Sequence, residues 1–301
     1  MNNNFSYIYS KLKKMCKCVK KHVPLSEMSS FKIGGRAKVV AEPESLEEII
    51  KVVGFLTEKQ IKHFVVGNCT NLLFDDAGYN GVIVKISNRF NHVDFFGKTV
   101  VAYAGASLSG LSVTTTDHGL KGLEDAFGIP GTVGGAVVMN AGAYDFRMSD
   151  VVTDVLALVD GKIRLYTNAE CKFGYRQSVF KNTNAIILRV QFSLERGKKS
   201  ELKTRRNEIK EKRLASQPLN HPSAGSVFKN PDGVSVAKLI EESGLKGYAI
   251  GGAMISVKHS NFIVNAGLAR SKDVLMLIDR VKDTIKQNYN IQLEMEIIYI
   301  N

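Results

Sequence analysis

Ser45-Leu46-Glu47-Glu48 places a glutamate three residues after a serine, and apolar residues then recur at 46, 49, 50, 53 and 56. That spacing follows one face of a helix, and the serine–glutamate pair reads as its capping box, so a helix is predicted over 46–59. The stretch Ile61 to Val66 reads as a buried strand, ended by the turn Gly67-Asn68-Cys69-Thr70-Asn71 before Leu72-Leu73. Further strands are expected at 82–86 and 99–104, with a short helix over 107–118. Beyond residue 150, two alternating runs, 155–159 and 162–166, flank Asp160-Gly161, the dipeptide that favours a two-residue hairpin. Another strand follows at 186–192. A basic helix over 201–215 is stopped by Gln217-Pro218. Amphipathic helices are expected at about 235–243, closed by Gly244, and 272–287, with Val274, Leu277, Ile278, Val281 and Ile285 on one stripe. The chain then ends in a predicted strand over 291–300, in which Gln292, Glu294 and Glu296 share a face with Ile298 and Ile300.

The chain has 301 residues, 44% of them hydrophobic, which suffices for a real core and suggests two domains with a boundary near residue 196. No apolar run approaches a bilayer span, and the lysine-bearing first 22 residues have no apolar core for a signal peptide, so a cytoplasmic protein with no membrane insertion is expected. Cys16, Cys18, Cys69 and Cys171 lack paired metal-ligand spacing and read as reduced thiols, with no metal site. The net charge of +12 is concentrated in two places. Residues 1–30 hold six lysines against one acid, and residues 196–213 hold nine basic residues against three acids. No aromatic residues interleave with the second cluster, so a solvated helical face is preferred to a nucleic-acid surface, though such segments also attract dianionic nucleotides.

Five glycines fall between 128 and 144, in Gly128-Ile-Pro-Gly131-Thr132-Val-Gly134-Gly135-Ala-Val-Val-Met-Asn140-Ala141-Gly142-Ala143-Tyr144. The spacing is neither that of a P-loop nor that of the dinucleotide-binding fingerprint. It leaves two readings: backbone held against a phosphate, or a tightly packed turn. Arg176, in Gly174-Tyr175-Arg176-Gln177-Ser178, has the fork that clamps carboxylates, or is an ordinary surface arginine. Ser226, in Ser223-Ala224-Gly225-Ser226, lacks a nucleophile elbow and a triad partner. Glu296 is solvated, or sits over an apolar site where it shares a proton. His259 is a candidate base by type, and a hydrogen-bonded structural histidine by default.

In order along the chain, seven segments resemble the UDP-N-acetylenolpyruvoylglucosamine reductase family. They are 30–35, 67–73, 128–144, 175–178, 222–231, 258–265 and 293–296. The chain is similar to the shorter form of that family, which lacks an extra substrate-covering loop. The resemblance implies an α+β protein. Residues 1–30 are a basic arm, and 31–195 are an FAD-binding domain of the vanillyl-alcohol-oxidase (PCMH) type, built of two α/β subdomains. Residues 196–301 are an α/β substrate domain. It implies non-covalent FAD on Gly67, Asn68, Cys69, Thr70, Asn71, Gly128, Gly131, Thr132, Gly134, Gly135, Asn140, Ala141, Gly142 and Ala143, with NADPH as electron donor. The implied substrate is UDP-N-acetylglucosamine enolpyruvate, contacted by Tyr175, Lys229 and Asn230 and reduced to UDP-N-acetylmuramate for peptidoglycan by a monomeric enzyme. Arg176 and Glu296 match the residues that stabilise the enolate-like intermediate, and Ser226 matches the proton donor. The chain departs from the family pattern at Cys69-Thr70, where Gly-Ser is expected, so Cys69 puts a side chain where glycine would allow positive φ. Asp145-Phe146 also stand where glycine is common. Alternatives within the fold are a flavin oxidoreductase with another substrate and a non-catalytic binder.

Overall fold

The computed structural model describes residues 4–181, 183–231 and 233–301; the first three residues of the basic arm lie outside them. The chain divides into two compact units with interleaved segments. One gathers the stretch ending at Lys21 with Val39–Asn68 and Gly81–Arg213; the other gathers His22–Lys38, Cys69–Asn80 and Leu214–Asn301. A single boundary near 196 does not describe this division. The chain changes unit within the strands Val19–Pro24, Arg36–Ala41 and Tyr79–Lys85 and within the helix Lys199–Ser216. No glycine- or proline-rich linker marks those crossings, so composition gives no sign of them.

The first unit holds a five-stranded antiparallel sheet in the order Lys162–Thr167, Val152–Val159, Ile186–Ser193, Thr99–Tyr103, Val93–Phe96. Val159 pairs with Lys162 across Asp160 and Gly161, both at positive φ, which is the two-residue turn that their sequence favours. A four-stranded sheet runs in the order Val19–Pro24, Arg36–Ala41, Tyr79–Lys85, His63–Val66, the last two parallel. The helix Leu46–Glu58 buries Ile49, Val52, Val53, Phe55 and Leu56. Ser45 Oγ accepts the Glu48 N–H at 3.2 Å, but the Glu48 carboxylate takes the N–H of Glu44, one residue ahead of the expected partner, so the box is offset by one residue. In the basic arm, Asn4 caps the helix Phe5–Leu12, whose Ile8 and Leu12 are buried in the core of this unit.

The second unit carries a four-stranded antiparallel sheet in the order Ser223–Ser226, Phe262–Asn265, Ala253–Ile255, Ala249–Ile250. Its core is completed by the helices Val236–Glu242 and Ser271–Tyr289, the latter burying Val274, Leu277, Ile278, Val281 and Ile285 as their spacing requires. The continuous strand expected over 291–300 is shorter. Only Ile298–Ile300 is regular, pairing parallel with Leu72–Phe74, and Met295 bridges Phe228 on its own. Leu293, Ile297 and Ile300 are the buried positions, so the period-two alternation is broken and Glu296 does not share a strand face with Ile298. Among the described residues, no helix is long and apolar enough to cross a membrane.

Candidate active site

Gly67, at the head of the first loop, meets the glycine segment within the first unit. A Cβ on Gly67 would lie 2.4 Å from Thr132 Oγ1, so only a bare Cα permits this approach. Thr132 is buried and caps the short helix Val133–Val138, its Oγ1 accepting the Gly135 N–H at 3.2 Å. Gly134 is also closely packed, since a Cβ there would sit 2.9 Å from that of Ala104. Gly135 has no comparable packing reason: it is exposed, and its Cβ would meet Thr132 Oγ1 only at 3.4 Å. Its open face suits a ligand lying against the backbone.

Most of the segment's N–H groups are already committed within the protein. Gly128 donates to Ser109 Oγ, Val133 to Ala106 O, Gly134 to Ala104 O, Gly135 to Thr132 Oγ1, Asn140 to Val137 O and Ala141 to Ala136 O. Those donors are turned inward, to partners of the chain itself. What the segment offers a ligand is close approach to the exposed, bare backbone at Gly135, a fit of shape more than of charge.

Arg176 stands on a tight turn joined to this segment. Gly174 and Gln177 exchange backbone hydrogen bonds at 3.0 and 3.2 Å, and Arg176 takes φ 54°, a torsion that a non-glycine residue adopts at a cost of roughly 1–2 kcal/mol. Its Nη2 donates to Gly142 O at 3.1 Å, and its Cζ lies 5.2 Å from the ring centre of Tyr175, which is exposed. Buried Asn140 fixes the turn, donating from Nδ2 to Gly174 O at 3.0 Å while its Oδ1 accepts the Ser149 N–H. The strained arginine is thus held by the glycine segment itself.

Ser226 and Glu296 are brought together in the second unit. The Glu296 N–H donates to Val227 O at 2.7 Å, and Asn71 Nδ2 donates to Glu296 O at 3.0 Å, while Ile298 N–H donates to Asn71 O at 3.0 Å. Asn71, expected on the flavin, therefore also aligns the carboxylate-bearing segment. Gly225, at φ 82°, bends the strand end that presents Ser226. Sequence reasoning missed Asn261, whose buried amide donates to Phe228 O and accepts the Phe228 N–H at 2.8 and 3.0 Å, fixing the chain two residues beyond Ser226. Lys229 pairs with Glu294, and Asn230 Oδ1 accepts the Val236 N–H at 3.1 Å. Cys69 is buried, at φ 53°, and in no disulfide: a side chain does occupy the left-handed position where glycine is expected. The buried Nδ1 of His259 has no hydrogen-bond partner among the described residues, its ring packs edge-on against Phe262 at 4.8 Å, and burial lowers its pKa, favouring neutral imidazole.

Residues 217–300 match the sequence profile of the UDP-N-acetylenolpyruvoylglucosamine reductase C-terminal domain, and residues 37–164 match that of an FAD binding domain. The UDP-N-acetylenolpyruvoylglucosamine reductase of Caldanaerobacter subterraneus subsp. tengcongensis is 45% identical over 293 residues, covering 96% of this chain and 97% of that one. The chain belongs to the UDP-N-acetylenolpyruvoylglucosamine reductase family. The reductase of Alkaliphilus oremlandii is 44% identical over 91% of the chain and 90% of its own length. The crystal structure of UDP-N-acetylenolpyruvylglucosamine reductase from Thermus caldophilus superposes with a TM-score of 0.82 at 37% identity, covering 94% of this chain and 99% of that one. The reductase C-terminal profile spans Ser226 and Glu296, while the flavin profile spans Gly67 through the whole glycine segment.

Proposed function

We propose that this chain reduces UDP-N-acetylglucosamine enolpyruvate to UDP-N-acetylmuramate with NADPH and non-covalent FAD, supplying a peptidoglycan precursor. The observation that carries the reading is the joining of Ser226 and Glu296 through Val227, with Asn71 holding Glu296 in place, in a chain whose family is reductases of this substrate class. Gly67, Asn68, Cys69, Thr70 and Asn71 hold the flavin together with Gly128, Gly131, Thr132, Gly134, Gly135 and 140–143. When bound, FAD carries the electron pair from the nicotinamide to the vinyl carbon of the enol ether.

The chain's own residues manage the charge that follows. Hydride arriving at the methylene carbon leaves negative charge on the carbon bearing the carboxylate, and that charge spreads into the carboxylate. Arg176, held by Gly142 O and the Gly174–Gln177 turn, offers a preorganised guanidinium to it. Glu296 shares a proton with the same group, and the Ser226 hydroxyl gives its proton to the carbanionic carbon, a transfer made feasible by the basicity of that carbon. Tyr175, Lys229 and Asn230 contact the UDP-sugar. As part of this reading, the enzyme acts as a cytoplasmic monomer.

The test is the visible spectrum of the purified protein under anaerobic conditions. A flavin band that bleaches with NADPH and returns with UDP-N-acetylglucosamine enolpyruvate is the expected result. A band that bleaches but ignores this substrate refutes the substrate assignment, and a protein that takes up no FAD refutes the flavin reading.

A further inference from the structure

The basic helix Lys199–Ser216 does not present its cations only to solvent. Leu202 and Ile209 are its buried residues, and Arg205, Arg206 and Arg213 fall on the same stripe at helical spacing. Each meets the stretch leading into the glycine segment. Arg205 makes a bidentate pair with Asp125, at 2.6 and 2.7 Å. Arg206 lies over the Phe127 ring at 5.6 Å, and its buried Nη1 has no acceptor among the described residues. Arg213 lies flat on Gly128, where a Cβ would come within 2.8 Å of its Cδ and 2.9 Å of its Nε, and Gly128 itself is at φ 80°. Burial lowers the Arg213 pKa, and no carboxylate of the described chain pairs with it.

A guanidinium drawn out of water with no anion, as at Arg213, and a buried Nη1 with no acceptor, as at Arg206, are costly unless a ligand supplies one. The neighbouring glycine segment has committed most of its own N–H donors, so a phosphate bound there needs positive charge from elsewhere. We infer that Arg206 and Arg213 hold a phosphate group of a nucleotide ligand at the Phe127-Gly128 end of the glycine segment. The inference rests on the flavin-nucleotide reading above. The planar fork suits phosphate oxygens, and Gly128 lacks the side chain that would displace Arg213. Three sources share this chemistry: the diphosphate of FAD, that of the UDP-sugar, and the 2′-phosphate of NADPH.

The full-length chain carrying Arg213→Gln, Arg213→Lys or Arg206→Gln separates them. Flavin-stripped protein is titrated with FAD, reconstituted protein is titrated with UDP through the flavin spectrum, and anaerobic flavin reduction is compared with NADPH and NADH. The expected result is that Arg213→Gln weakens FAD roughly tenfold or more, with partial recovery in Arg213→Lys. Selective weakening of UDP, or loss of the NADPH advantage over NADH, also supports the phosphate site and assigns its source. Melting of the flavin-stripped protein is the second readout. Removing a buried, unpartnered charge leaves that protein as stable as wild type or more so, whereas a purely structural arginine would lower its melting temperature. Loss of flavin-free stability, or all three ligands binding within about twofold of wild type, overturns the inference. Failure of the wild-type protein to take up FAD would instead refute the functional reading beneath it.

Discussion

Gly67→Ala tests the packing that brings the two glycine loops together. The added methyl would sit 2.4 Å from Thr132 Oγ1 and 3.3 and 3.4 Å from its Cγ2 and Cβ, so Thr132 must turn away. Turning breaks its bond to the Gly135 N–H, a cap of about 1 kcal/mol, and forcing a methylene into this packed spot adds about 1–3 kcal/mol. Against this, alanine restricts the unfolded chain relative to glycine, which returns about 0.4–1 kcal/mol because Gly67 is not at positive φ. The net expectation is a loss of about 1–3.5 kcal/mol. The chain has no tryptophan, so urea unfolding is best followed by far-UV circular dichroism. Thr132→Ala alone should cost about 1 kcal/mol, and Gly67→Ala in that background should cost little more, because the atom it collides with is gone. The resulting coupling of about 2 kcal/mol is the diagnostic quantity. Gly67→Ala within about 0.5 kcal/mol of wild type, or strict additivity in the double variant, would show that the contact does not govern the approach of the two loops.

Ser226→Ala should leave flavin reduction by NADPH fast and slow reoxidation by the enolpyruvyl substrate by about 10²–10⁴-fold in stopped-flow measurements; slow reduction would refute the assigned role. Tyr299→Phe should flatten the pH dependence of stability at both ends. The Tyr299 hydroxyl donates to Asp75, whose pKa it holds below the ordinary 3.8, while that bond raises the tyrosine to about 12. The Asp75 contribution is complete above its unfolded pKa and fades as pH falls through the lowered folded one; the Tyr299 contribution is complete below 10 and fades as pH rises towards 12. Denaturant titrations across pH should therefore show the gap between wild type and variant widest from about pH 4 to 10, closing on both sides, and a gap independent of pH would exclude the bond.

What was legible in the sequence was mostly local. The Ser45 cap, the Asp160-Gly161 hairpin, the Gly244 stop and the stripe of Ser271–Tyr289 each depend on residues within a few positions of one another, so periodicity and turn chemistry find them. The interleaving of the two units depends on which strands pair over long separations. The same holds for Glu296, whose neighbours Asn71 and Val227 are 225 and 69 positions away. The basic helix shows the limit most clearly. Its charge suggested a solvated face, yet residues 202, 205, 206, 209 and 213 form an inward stripe in which arginines alternate with the two buried aliphatics. A periodicity count that included arginine, whose long stem packs while its head seeks an anion, would have found it.

Cys69 ties the sequence departure to the backbone. At φ 53° it carries roughly 1–2 kcal/mol of strain that glycine would not, yet its buried thiol gains about 1 kcal/mol by leaving water. The two nearly cancel, which explains how a non-glycine residue is tolerated in this loop. Cys69→Ala should remove most of the burial gain while keeping the strain, costing about 1 kcal/mol. Cys69→Gly removes both, offset by the greater freedom of glycine when unfolded, and should fall within about 1 kcal/mol of wild type. The order of the two variants is therefore the test. At a residue of ordinary torsion, alanine is the more stable; here glycine should equal or exceed it in urea unfolding, and alanine the clear winner would mean that the loop relaxes away from the left-handed torsion.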